Sequence, residues 1–250
     1  MNPGKDRTTI VNIGIFPLGM INAFLLVNSR GCVLIDTGLP NSQKKIESVL
    51  RKLNLTFTDI NLIVITHAHI DHAGNAAKLK SLSGAKIIAH SGDLPFYRGD
   101  KKMQVCSTGW FGSVFSKTGV IQKPYAQFEP DILLTSSDRF SLVDFGINGE
   151  LISTPGHTQG SISVVFDNTN AVVGDLISSG ILLGGIVRKS KAKRPPFEDN
   201  PSQVSRELLS LVNSGVNTFY MGHGGPLPAK EVLKHVNKLD RLVNNNAHRL

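Results

Sequence analysis

Leu62-Ile63-Val64-Ile65-Thr66-His67-Ala68-His69-Ile70-Asp71-His72 is the stretch on which the reading of this chain turns. Leu62–Thr66 is a continuous apolar and β-branched run, which predicts a strand buried on both faces. It empties directly into three histidines and an aspartate. A core histidine is normally single. Four such side chains crowded at a strand end would repel or desolvate one another unless a cation organised them, and a divalent metal does so. His67 and His69, two apart, share a side while the chain is extended and can clamp one ion. Asp71 and His72 lie past the strand, where a turn can aim them at a neighbouring ion.

Upstream, strands are expected at Thr9–Phe16, Ala23–Val27 and Cys32–Asp36, the last two joined by the turn Asn28-Ser29-Arg30-Gly31. A helix follows from Asn41, with Ile46, Val49, Leu50 and Leu53 on one face and Asn41 or Ser42 as its N-cap. Downstream come a short helix near Asn75–Leu82 and a buried strand Ala85–Ala89, a strand, helix, strand order that marks an α/β protein. Further strands are expected at Phe140–Val143, Glu150–Ser153, Ser161–Phe166 and Ala171–Val173, and closing helices at Pro201–Asn213 and Ala229–Val243. Phe24 to Asp36 and Ser163 to Asp175 echo each other as strand, polar turn, strand, aspartate. Each would deliver a carboxylate to a shared edge. Three other segments repeat the form of the histidine stretch, with glycine beside a ligand type after a strand: Gly156-His157, Gly174-Asp175 and Gly222-His223.

Composition narrows the class. The 250 residues are 40% hydrophobic and 18% charged with mean hydropathy −0.01, which excludes disorder, and the whole chain, 1–250, reads as one domain. Cys32 and Cys106 are too few for a disulfide framework or a four-thiolate zinc site, so histidine and carboxylate must hold any metal. Ile10–Val27 is apolar, but Asn12, Gly14, Pro17, Gly19 and Asn22 interrupt it as a membrane span. With no secretory pattern at Met1–Arg7, a cytoplasmic protein is expected. A net charge of +8 would favour anionic partners, or serve solubility alone.

The motifs, in order, are Asp36 in Leu-Ile-Asp-Thr-Gly, the His-x-His-x-Asp-His run from His67 to His72, then His157, Asp175 and His223. In these the chain resembles the metallo-β-lactamase-fold superfamily of metallohydrolases, from about residue 10 to 226. The resemblance implies an α/β fold, an αββα sandwich of two mixed sheets flanked by helices. It also implies two divalent ions: His67, His69 and His157 on one, Asp71, His72 and His223 on the other, and Asp175 bridging. Asp36 would orient a ligand or nearby backbone. A metal-bound hydroxide would be the nucleophile, with Asp71, Asp175 and Asp36 as its catalytic carboxylates. The histidine-rich set favours zinc, and iron, manganese or cobalt also suit it.

An aspartate at position 175 resembles the glyoxalase II and acyl-homoserine lactonase branches, where β-lactamases proper have Ser or Cys. The short tail after His223 lacks the helical extension of glyoxalase II. A small-molecule acyl substrate, a lactone, ester or thioester, is therefore expected, with weak β-lactam hydrolysis alongside and no membrane partner. The alternatives are a phosphodiesterase or RNA-processing nuclease, and a mononuclear iron persulfide dioxygenase. Substrate choice is expected from two segments. Residues 91–130, rich in Phe96, Tyr97, Trp110, Phe111, Phe115, Tyr125 and Phe128, form either a lid or a satellite cluster. Ile177–Val187 could line an acyl pocket, and Arg188, Lys189, Lys191, Lys193 and Arg194 form an anion site or a solvated loop. His90, at a strand end, is the one other histidine that could reach the pocket; His235, His248 and both cysteines read as structural.

Overall fold

The computed structural model describes residues 8–181 and 187–247. Met1–Arg7, His248 and the middle of the Ile177–Val187 segment lie outside the described residues. The first sheet has the order β1 (Thr9–Phe16), β2 (Ile21–Asn28), β3 (Gly31–Ile35), β4 (Ile60–Val64), β5 (Lys86–His90), β6 (Ile132–Leu134). The second contains β7 (Arg139–Ser141), β8 (Gly149–Ser153), β9 (Ile162–Phe166), β10 (Asn170–Val172), β13 (Thr218–Tyr220) and β14 (Leu227–Pro228), in the order β14-β13-β10-β9-β8-β7. A two-stranded ribbon, β11 (Ser178–Ser179) with β12 (Ala192–Lys193), stands apart. The helices are α1 (Gln43–Lys52), α2 (Ile70–Ala73), α3 (Ala76–Ser83), α4 (Leu94–Tyr97), α5 (Trp110–Ser116), α6 (Pro201–Asn213) and α7 (Ala229–Ala247).

The apolar runs are continuous because the central strands are covered on both sides. Along β2 and β3, Ala23, Leu25, Cys32 and Leu34 face a core shared with Ile46 and Leu50 of α1 and Leu79 of α3. Phe24, Leu26, Val33 and Ile35 face a second core, shared with Leu151, Val164, Phe166 and Val172 of the opposite sheet. A third core packs Ala171 and Phe219 against Val204 and Leu208 of α6 and Val232 and Val236 of α7. These layers make the αββα sandwich. Each buried Leu, Ile or Val contributes about 1.5–3 kcal/mol, and all three interlayer spaces are filled by such residues.

The topology sets where the chemistry sits. Strand β3 runs parallel to β4, and β10 parallel to β13; β9 is antiparallel to both β8 and β10, so β8 runs with β10. The C-terminal ends of β3, β4, β8, β10 and β13 are the ends that carry the motifs.

Several boundaries differ from expectation. Asn41 does not cap α1: it sits at φ 69, and Ser42 occupies the cap position without a side-chain hydrogen bond. The expected strand Phe140–Val143 stops at Ser141, because Val143–Phe145 is a 3-10 turn ending in Gly146 at φ 75. The apolar stretch Ile10–Val27 is β1, a 3-10 turn and β2. Among the described residues no helix is long and apolar enough to cross a membrane.

Candidate metal centre

Strand β4 is pinned at its end from both sheets. The Thr66 carbonyl accepts from the Ile162 amide at 2.9 Å, and the Thr66 amide donates to Asp36 Oδ1 at 2.8 Å. His67 and His69 leave in this loop, and the single turn α2, with His69 at its N-cap position, carries Asp71 and His72 back under them. His157 comes from the loop after β8, Asp175 from the turn after β10, and His223 from the turn after β13. All seven side chains are buried.

Two clusters result. In the first, His67 Nε2, His69 Nδ1 and His157 Nε2 form a triangle with sides of 3.1, 3.1 and 3.2 Å. In the second, His223 Nε2 lies 3.3 Å from Asp71 Oδ2, and His72 Nε2 lies 3.9 Å from the same oxygen. Asp175 stands between them: Oδ1 is 3.4 Å from His72 Nε2, while Oδ2 is 3.1 Å from His223 Nε2 and 3.8 Å from His157 Nε2. Nitrogens that share one zinc-like ion at 2.0–2.1 Å, near tetrahedral angles, stand roughly 3.1–3.4 Å apart, the spacing of the histidine triangle. His72 Nε2, Asp71 Oδ1 and Asp175 Oδ1 are buried without a hydrogen-bond partner, a costly state that a cation relieves. Both clusters could hold a metal ion, His67, His69, His157 and Asp175 in one and Asp71, His72 and His223 in the other.

Asp36, held at φ 61, organises one histidine in each cluster. Its Oδ2 accepts from His72 Nδ1 at 2.7 Å and from Thr66 Oγ1 at 2.8 Å. With its proton committed to Asp36, Thr66 Oγ1 is left to accept from His67 Nδ1 at 3.0 Å. Both imidazoles thereby have Nδ1 committed as a hydrogen-bond donor and Nε2 aimed into their cluster. The Met20 carbonyl does the same for His223 through its Nδ1. Asp36 itself stays outside both clusters.

The two clusters differ electrostatically. Burial, then the neighbouring histidines, hold His67 far below the ordinary imidazole range; burial and His157 push His69 down to about 3. Burial likewise takes His157 to about 4 against the opposing pull of Asp175. These imidazoles are neutral, with lone pairs free. In the second cluster burial also opposes charge, but Asp175, Asp36 and Asp71 outweigh it and raise His72 to about 9, and Asp175 and Asp71 hold His223 well above the ordinary imidazole range. Asp71 and Asp175 remain ionised: His72 and His223 overcome the burial that opposes their charge. The second cluster thus draws positive charge to itself.

Close packing makes the site unforgiving. A Cβ on Gly222 would lie 2.3 Å from His72 Cε1 and 2.4 Å from Asp175 Oδ1, so only glycine lets this turn pass beneath the ligands. One organising residue carried no signal in the sequence. Asp93, fully buried, accepts from the Ala68 amide, the Gly160 amide and Thr158 Oγ1, each at 2.9 Å. It joins the loop of His67 and His69 to the loop of His157. An isolated aspartate in Ser91-Gly92-Asp93 resembles any turn residue, and only the fold reveals its three donors.

Residues 91–130 divide between the two roles considered. Tyr97 and Phe128 belong to the core beneath the first sheet, with Phe96 and Tyr125 packed against it. Phe111 stacks on Phe115, which stacks on Phe197 at 5.7 Å, and Phe197 meets the His69 ring edge-on at 6.4 Å. Phe115, Ile121, Pro196 and Phe197 roof a pocket floored by His69, Asp71, His157, Asp175 and His223. His90 does not line it; its Nδ1 accepts from the Gly92 amide and its Nε2 lies 3.3 Å from Ser153 Oγ. Neither does the basic run, in which Lys191 pairs with Glu231 at 3.9 Å and Arg194 with Glu198.

Comparison with known proteins agrees with the architecture. The crystal structure of a metallo-beta-lactamase family protein from Thermus thermophilus, TTHA1429, superposes with a TM-score of 0.66 at 21% identity over 95% of this chain and 79% of that one. Among curated proteins, the probable metallo-hydrolase YflN of Bacillus subtilis is 25% identical over 218 residues, covering 83% of this chain and 80% of its own length. The metallo-beta-lactamase fold-containing protein ST1585 of Sulfurisphaera tokodaii is 26% identical over 220 residues, covering 86% and 77%. Residues 16–223, which span every motif from Asp36 to His223, match the family description metallo-beta-lactamase superfamily, and the chain belongs to that superfamily.

Proposed function

We propose that the chain is a dinuclear metal-dependent hydrolase of esters, lactones or thioesters. His67, His69 and His157 would hold one ion, Asp71, His72 and His223 the other, with the Asp175 carboxylate shared. The observation that carries this reading is the placement of Asp175, one oxygen toward His72 and the other toward His223 and His157. An all-nitrogen triangle at tetrahedral spacing favours zinc. Bound metal supplies Lewis acidity, polarising a carbonyl and acidifying a coordinated water toward neutrality.

The chain's own groups do the rest. Asp36 keeps His67 and His72 turned so that Nε2 is aimed into their clusters. Asp71 and Asp175 stay ionised and supply the negative charge that would offset the two ions. Phe115, Ile121 and Phe197 exclude bulk water and offer an apolar surface to an acyl chain. The space over the clusters is about 10 Å³, room for about one water, so Phe115 and Ile121 of the 91–130 segment must shift to admit substrate. Among the described residues no Lys or Arg lines the pocket, which favours a neutral carbonyl over a phosphodiester backbone.

The test is turnover of lactone, thioester, β-lactam and phosphodiester substrates by protein loaded with zinc, manganese or iron. Lactone or thioester turnover is expected to exceed the others. Phosphodiester cleavage without acyl hydrolysis would overturn the reading in favour of a nuclease.

A further inference from the structure

Away from the metal centre, β12 and α7 border a second, open pocket of about 250 Å³, lined by Ala192, Lys193, Arg194, His235, Lys238, Leu239 and Leu242. None of these residues lines the metal pocket. Four of the seven carry or can carry positive charge. Arg194 is already committed, since its Nε and Nη2 both engage Glu198 Oε2. Lys193 and Lys238 are not: among the described residues neither ammonium lies within ion-pairing distance of a carboxylate, although Lys193 is half-buried. Burial without a partner pulls the Lys193 ammonium below its ordinary range.

His235 supplies the independent observation. It is 3% exposed, and its Nε2 is buried with no hydrogen-bond partner. Burial, then Lys238 and Arg194, keep the ring neutral, with a pKa near 4. A buried, unsatisfied imidazole between unpaired cations is an arrangement that an oxyanion completes. Its oxygens would accept from Lys193 and Lys238, with the neutral His235 ring as part of the wall beside them. The remaining walls, Ala192, Leu239 and Leu242, are aliphatic. The volume falls just below the roughly 300–1,000 Å³ usual for ligand sites, which limits the occupant to a small molecule.

We infer that this pocket is a binding site for a small oxyanion, a carboxylate or phosphate monoester, bearing a short aliphatic chain. It gives the basic run at 188–194 a partial role: Lys193 recognises the anion, while Lys191 and Arg194 are neutralised by Glu231 and Glu198.

The experiment follows the His235 imidazole nitrogens by NMR in zinc-loaded, ¹⁵N-histidine-labelled protein during titration with hexanoate, hexyl phosphate and inorganic phosphate. A saturable shift at His235 is expected with either alkyl anion, and the tighter of the two names the headgroup. The Lys193→Ala/Lys238→Ala double variant should weaken that binding at least tenfold. His235→Phe, which replaces the imidazole by an apolar ring of similar size, should weaken binding detected by calorimetry while the circular dichroism stays unchanged. No saturable shift with any probe, or a shift of equal affinity in the double variant, would overturn the inference. A response to inorganic phosphate alone would overturn the assignment of an aliphatic ligand.

Discussion

Replacing Asp93 by asparagine tests whether burial or hydrogen bonding governs the joint between the two histidine loops. The side chain accepts three hydrogen bonds at 2.9 Å, and counting those alone makes the ionised carboxylate the preferred form. Burial opposes this more strongly, and the carboxyl is raised from the ordinary 3.8 to about 6. Below pH 4 both folded and unfolded chains hold the proton, and ionisation favours neither. As pH rises from about 4 to about 6 the unfolded chain ionises first, and folding loses stability. Above about 6 the loss is complete, at about 3 kcal/mol for a rise from 3.8 to about 6. The amide of Asp93→Asn does not titrate, so the stability of wild type relative to the variant should fall by about 3 kcal/mol across this window. Urea unfolding of the two metal-free proteins between pH 4 and pH 8 measures it, because the histidines common to both cancel. A relative stability that is flat, or that rises with pH, would refute the reasoning and make the hydrogen bonds dominant.

Three further outcomes follow from the same geometry. Asp36→Ala removes the acceptor that fixes His72 directly and His67 through Thr66, so zinc affinity at both clusters should fall about 10–100-fold in chelator competition, with no ligand changed. Gly222→Ala places a Cβ 2.3 Å from the His72 ring and should abolish stoichiometric metal binding in a chain that still folds, read by metal analysis beside circular dichroism. Phe115→Ala removes the ring stacked on Phe197 and opens the roof, so kcat/KM should rise for bulky acyl substrates relative to small ones while metal content is unchanged.

How much the sequence disclosed follows from how each feature is encoded. The strands β2, β3, β4 and β9 were legible because layers cover both their faces, which demands continuous apolar runs such as Leu62–Ile65. Short elements such as β6 and β14 were not: they hold three and two residues, too few for a period, and are defined by their neighbours' hydrogen bonds. The histidine stretch and the glycine-flanked His157, Asp175 and His223 were legible because so many ligand types at strand ends have no common structural explanation. Asp93 was not, since its partners Ala68, Thr158 and Gly160 approach only in the folded chain. Residues 91–130 had no single period because Tyr97 and Phe128 serve the core while Phe115 serves the pocket.

The central claim is that two ions share Asp175, and metal stoichiometry tests it most directly. Protein saturated with zinc, freed of excess metal by desalting and analysed by elemental mass spectrometry should hold two ions per chain. In Asp175→Ser, where the shared carboxylate is lost and the histidine triangle is intact, the count should fall to about one. One ion per chain in the wild type, unchanged in Asp175→Ser, would contradict the account.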